Sequence, residues 1–155
     1  MTSFFDTRFD CNIIPPERFV YIEREIGFKL PEFYKNLIKN CDRGHPVADA
    51  FDYYDEEFGC TMEGCLGVFC PINEDEYSHF LSLYKDPPEF FPEGLVAFGE
   101  DGGGNFMCFD YRGGHPNPDP PIVFWRHDSD IGKDVSFIAP TFESFIAMLY
   151  KGEDQ

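Results

Sequence analysis

A chain of 155 residues that is 43% hydrophobic and 18% aromatic can bury a core of its own, which excludes disorder except at the last few residues. Twelve Lys+Arg against 29 Asp+Glu give a formal charge of −17 and a pI near 4.3. That balance excludes nucleic acid and anionic membranes as ligands, because phosphate binding rests on cationic side chains displacing counterions.

The same charge attracts basic partners and speeds encounter with them, although acidity also serves solubility. With 19 Phe, the core is expected to be built from Phe. The first residues, Met1 to Arg8, lack a basic region followed by a long apolar run, and no stretch approaches the roughly 20 apolar residues of a membrane span. A soluble cytoplasmic protein is expected.

In chain order, residues 1–14 form an irregular or short-stranded lead-in. Pro15-Pro16 starts a helix, since proline suits the first helical turn, and Phe19, Ile22 and Ile26 share one face before Gly27 caps it. Pro31 opens a second helix, Glu32 to about Asn40, with Tyr34, Leu37, Ile38 and Cys41 as its buried stripe. Ala48 to Cys70 reads as one or two strands around a loop. Asn73 reads as an N-cap, with Glu74, Asp75 and Glu76 in the first turn of a helix to about Tyr84. Pro87, Pro88 and Pro92 impose an extended connector.

The centre of the chain is Leu95–Phe98 and Phe106–Tyr111, two apolar runs around the turn Glu100-Asp101-Gly102-Gly103-Gly104-Asn105. This is the pattern of a hairpin between buried strands. A phosphate cradle needs its glycines to lead into a helix N-terminus, but a β-like segment follows here, and Glu100 and Asp101 repel phosphate. Pro121–Arg126 extends the sheet after a Pro/Gly-rich connector that contains His115. Val135–Ile138 forms a last short strand, and Thr141 caps a helix carrying Phe142, Phe145, Ile146 and Leu149. Helices at both ends around a run of strands predict an α+β fold. The expected architecture is a single domain over residues 1–155, with a central, mostly antiparallel or mixed sheet and a frayed tail at 152–155.

Six cysteines in a reducing compartment are expected as free thiols. Cys60, Cys65 and Cys70 recur at five-residue steps but make a set of three rather than two ligand pairs, and the nearest histidine is His79. Buried free cysteines are the simpler account, and a Cys-dependent metal or redox protein is the alternative.

Four landmarks in order resemble the SUKH superfamily, the Smi/Knr-like proteins. They are Glu23 with Gly27-Phe28-Lys29-Leu30-Pro31-Glu32-Phe33-Tyr34, the hairpin Phe98–Asn105, the strand Pro121-Ile122-Val123-Phe124-Trp125, and Thr141-Phe142-Glu143-Ser144-Phe145. Thr141 stands where the family usually has Ser, Cys41-Asp42-Arg43-Gly44 replaces an Asn-Gly-Gly type turn, and Cys60–Cys70 matches no landmark. The resemblance implies an α+β domain without catalytic activity or cofactor. It implies an immunity protein in bacteria that binds and neutralises a cognate toxin, often a nuclease or deaminase, or else a regulatory interaction module with no toxin partner.

The residues themselves offer little chemistry. His127-Asp128 is the one pair suggesting an oriented base, and no nucleophile motif accompanies it. Asp128-Ser129-Asp130 begins like a calcium loop but lacks the closing Glu. Binding is the expected activity. Asp52, Asp55, Glu56 and Glu57 are candidates for pairing with a basic partner, and Tyr53 and Tyr54 are candidate anchors. Glu100 and Asp101 are a second, turn-borne candidate pair. The competing account of Asp49–Phe58 is an ordinary strand whose aromatics face the core and whose acids face water.

Overall fold

Two prolines fix where the first helices begin. In the computed structural model, which describes residues 3–73, 80–113 and 117–152, α1 (Pro16–Ile26) and α2 (Glu32–Ile38) each follow directly on a proline. Gly27 takes the left-handed conformation at φ 79° and closes α1 with an N–H bond to Glu23 O. The Glu23 carboxylate then reaches across to α2, accepting from Leu30 N at 2.8 Å and from Lys35 Nζ at 3.1 Å. Glu23 therefore sets the angle between the two helices.

A hairpin of β1 (Ala50–Asp55) and β2 (Cys60–Cys65) forms a two-stranded sheet. The main sheet is antiparallel throughout, in the order β3 (Val68–Phe69), β4 (Leu95–Glu100), β5 (Phe106–Asp110), β6 (Ile122–Trp125) and β7 (Val135–Ala139). α3 (Phe80–Lys85) precedes β4, and α4 (Phe142–Met148) ends the fold. The architecture is α+β, as expected. The expected first turn of the helix after Asn73, and with it His79, lies outside the described residues, as does His115.

β4, β5 and β6 are apolar at nearly every position because both faces of the sheet are covered. One face meets α1, α2 and α4 through Tyr34, Phe69, Phe98, Phe109, Phe142 and Phe145. Rings there cross edge to face, as Tyr34 does with Phe109 at 5.1 Å and with Phe142 at 5.3 Å. The other face is thinner. Leu95, Ala97, Phe106, Cys108, Val123 and Trp125 form its patch, and Phe91 stands edge-on to Trp125 at 5.0 Å. Thr141 departs from the family's Ser without consequence. Its hydroxyl accepts from Ser144 N at 3.1 Å, and Ser144 Oγ accepts from Thr141 N at 3.1 Å, which completes a reciprocal cap.

The cysteines depart from expectation. Cys11 and Cys41 form a disulfide, which fastens the lead-in to the end of α2 beside the Asn12–Asp42 bridge. The second departure from the family pattern lies here too. Arg43 takes φ 60°, a conformation usually left to Gly or Asn, and Asp42 accepts from Ile72 N and Asn73 N at 2.7 and 3.1 Å. Cys70 and Cys108 are buried free thiols, Cys65 is half-buried and Cys60 is exposed. Burial and the Asp49 carboxylate push the Cys65 thiol up to about 11. Alkylation of the native protein near pH 8, read by mass spectrometry, should therefore label Cys60 first and Cys65 slowly. Cys70 and Cys108 should react only on unfolding, and Cys11 and Cys41 only after reduction.

The buried Tyr34 hydroxyl meets no hydrogen-bond partner among the described residues. Tyr34→Phe should leave stability in urea unchanged or raise it by about 1 kcal/mol. Tyr34→Ala, which removes the ring contacts, should cost about 3–5 kcal/mol.

Candidate partner-binding site

Strand alternation divides the Asp49–Phe58 stretch. Phe51, Tyr53 and Asp55 turn inward, while Asp52, Tyr54 and Glu56 face water. Tyr53 is therefore a core residue, 8% exposed, packed on Phe124 at 4.9 Å, and it offers no surface anchor. Asp55 is 1% exposed, and its Oδ1 accepts from Glu57 N and Phe58 N at 2.9 and 3.2 Å, which shapes the hairpin turn. Both leave the surface set for a physical reason. The ladder places them over the sheet, where a buried cation waits.

That cation is Arg126, at the end of β6. Its Nε lies 3.6 Å from Asp55 Oδ2 and donates to Ser129 Oγ at 3.1 Å. Nη1 donates to Ser136 Oγ at 3.0 Å and Nη2 to Lys133 O at 2.6 Å. The guanidinium also lies over the Tyr53 ring, 5.1 Å from its centroid. Ser136 Oγ passes the link on by donating to Tyr54 O at 2.7 Å. Burial raises the Tyr53 phenol pKa, Arg126 opposes this, and Asp55, Asp101 and Asp128 add to the rise.

Those distant acids come from two loops at the same end of the molecule. In the β4–β5 turn, Gly102 and Gly104 take φ 86° and 92°. Asp101 is spent on that turn, its Oδ1 accepting from Gly103 N at 2.7 Å and its Oδ2 from Asn105 Nδ2 at 2.9 Å. Glu100 lies half-buried in β4, and burial followed by Asp101 raises its pKa. Neither is the freely exposed turn residue expected from sequence. Asn105 Oδ1 in turn accepts from His127 N at 3.0 Å and lies 2.8 Å from His127 Nδ1. On the opposite side of that loop, Glu57 Oε2 accepts from Asp130 N at 2.9 Å. The hairpin turn, the β4–β5 turn and the 127–134 loop are thus tied into one acidic rim.

Beside this rim runs a surface groove of about 650 Å³, lined in part by Glu56, Phe90, Val123, Ile131, Val135 and Phe137. Tyr54, Phe58, Phe90, Ile131 and Phe137 are between 55% and 76% exposed, which is unusual for such large apolar side chains. Phe90 also takes φ 67°, a strained conformation for a bulky residue. Its neighbour Arg112 is paired with Asp110 at 2.9 Å, so the net charge of the groove comes from Glu56 and from Asp134, which accepts from Trp125 Nε1 and Gly132 N. A second groove of about 520 Å³ lies between α1 and α2, with Ile13, Val20 and Lys39 on its walls. Of the residues picked out by sequence, the structure keeps Asp52, Tyr54, Glu56 and Glu57 on the surface. Sequence reading missed the buried Arg126 and the exposed Phe90, Ile131 and Phe137, none of which a local pattern announces.

No group of His, Cys, Asp and Glu among the described residues is placed to hold a metal ion, and no helix there is long and apolar enough to cross a membrane. The family model described as SMI1 / KNR4 family (SUKH-1) matches residues 14–148. No curated protein matches the chain.

The Arg126 cluster makes a double-mutant test. Arg126→Ala strands the buried Asp55 carboxylate and should cost about 3–5 kcal/mol in urea denaturation. Asp55→Ala also loses the turn cap and should cost about as much, while the double variant should fall well short of the sum.

Proposed function

The chain belongs to the SMI1 / KNR4 family (SUKH-1), and on that premise we propose that it is an immunity protein. It binds a cognate toxin with a basic surface and neutralises that toxin by occlusion, without chemistry. The observation that carries this reading is the coincidence of exposed apolar anchors with the acidic rim. Ile131 and Phe137 share a groove with Glu56, while Tyr54 and Phe58 are exposed on the adjoining hairpin. Apolar centres with charged rims are what a protein interface requires.

Charge supports the same reading. A formal charge of −17 steers a basic partner toward the chain and repels the nucleic acid that a nuclease toxin would otherwise hold. The described histidines serve structural contacts. His45 stacks on Phe9 at 3.8 Å, and His127 holds Asn105. The cysteines that might have supported redox or metal chemistry sit apart, with Cys70 buried and Cys60 exposed on β2.

The test is binding to the toxin domain encoded beside this chain's gene. Glu56→Lys with Asp128→Lys changes two exposed side chains and should slow association about ten-fold at low salt while flattening its salt dependence. Phe137→Ala should act instead on dissociation, speeding it about ten-fold or more. Association that ignores both changes would move the interface elsewhere.

A further inference from the structure

The far edge of β2 pairs with no strand among the described residues. Which of its backbone groups face outward follows from its partner strand. Ala50 exchanges both backbone hydrogen bonds with Tyr150, donating at 2.8 Å and accepting at 3.0 Å, so it gives none to β2. Ala50 stands opposite Cys65. Residues of an antiparallel ladder alternate between bonded and non-bonded pairs, so Cys65, Glu63 and Thr61 all turn N–H and C=O away from β1. The neighbouring contacts agree. Leu66 N donates to Asp49 O at 2.7 Å, and Tyr54 O, opposite Thr61, accepts from Ser136 Oγ at 2.7 Å.

Proteins blunt an open edge with lysine, proline, a bulge or a covering element. β2 reads Cys-Thr-Met-Glu-Gly-Cys, its register with β1 is unbroken, and four of its six residues are exposed. Its one protection is the charge of Glu63, which bars an acidic strand but not a basic one, and three N–H and three C=O groups stand at the spacing of an incoming strand.

Charge selects the occupant. Glu63 sits directly across from Asp52, and both carboxylates lean on the Tyr150 hydroxyl, at 2.9 and 2.6 Å. One hydroxyl has one proton to give, and like charges set opposite each other destabilise a ladder. A second copy pairing over the same three residues would set Glu63 against Glu63 and bring together two chains of −17. A lysine or arginine would relieve the Glu63–Asp52 pair. We propose that the outer edge of β2 is a strand-addition site for an extended basic segment of a partner protein. That segment pairs with Thr61, Glu63 and Cys65 and sets a Lys or Arg against Glu63 and Asp52. The site rests on the ladder geometry, whether or not the partner is a toxin.

The test is residue-resolved amide hydrogen exchange on the full chain with the peptide acetyl-Lys-Val-Lys-Val-Lys-amide as the probe. Saturating peptide should slow exchange at Thr61, Glu63 and Cys65 about ten-fold or more, leaving Met62 and Gly64, already bonded to β1, unchanged. The fully N-methylated peptide keeps the charges but has no backbone N–H, and its methyl groups bar the strands from closing into a ladder, so it should protect none of the three. Thr61→Pro removes one outward N–H without touching the ladder to β1, and it should weaken protection at Glu63 and Cys65. No protection at millimolar peptide, or equal protection by the methylated analogue, overturns the proposal. Both readings use the unmodified chain and do not depend on how the variant folds.

Discussion

A buried arginine holds this fold's working end in place. Arg126 would be expensive to bury alone, and the surrounding elements each supply part of its coordination. β1 contributes Asp55 and the Tyr53 ring, β7 contributes Ser136, and the loop after β6 contributes Ser129 and the Lys133 carbonyl. Because its donors point in fixed directions, these elements cannot slide past one another without leaving a charge unpaired. Arg126 thus fixes the turn end of the β1–β2 hairpin over the main sheet, while Phe51 on Phe124 and Phe145 and the Ala50–Tyr150 pair hold its other end. The turn end is also the place where Tyr54, Glu56 and Glu57 meet the solvent.

The uneven covering of the main sheet explains why a groove exists at all. Helices and the hairpin bury one face under a dense layer of phenylalanines. Among the described residues, the apolar side chains that close the opposite face are Phe91, Leu83 and Val135 at the edge of β7. Val135 and Phe137 point to that thinner side by strand alternation, and Phe137 is left largely in water. The groove at this margin is thus a consequence of the layer count, and Phe90 is held beside it in a left-handed conformation. Apolar surface left open next to an acidic rim is the physical basis of the proposed interface.

The helices and the central hairpin were legible in sequence because their signals are local. Pro15, Gly27, Pro31 and Thr141 mark helix ends by backbone constraints that tertiary contacts do not override. Gly102 to Asn105 between apolar runs left one reading, a tight turn. The Ala48–Cys70 stretch resisted because its residue types defy the usual sorting. Tyr53 and Asp55 go inside while Tyr54 and Phe58 stay out, and only Arg126, far along the chain, makes an inward Asp55 tolerable. The Cys11–Cys41 bond was illegible for the same reason, since it depends on the lead-in folding back beside α2. Of the candidate site, the acids on the hairpin could be picked out. The groove could not, because its walls come from five separate segments.

The most direct measurement is the structure of the chain bound to its cognate toxin domain. The account predicts that Tyr54, Glu56, Ile131 and Phe137 lose their exposure to that partner, with basic residues of the toxin along the acidic rim. An interface built instead on Ile13, Val20 and Lys39 of the α1–α2 groove, with the hairpin end left in water, would contradict it.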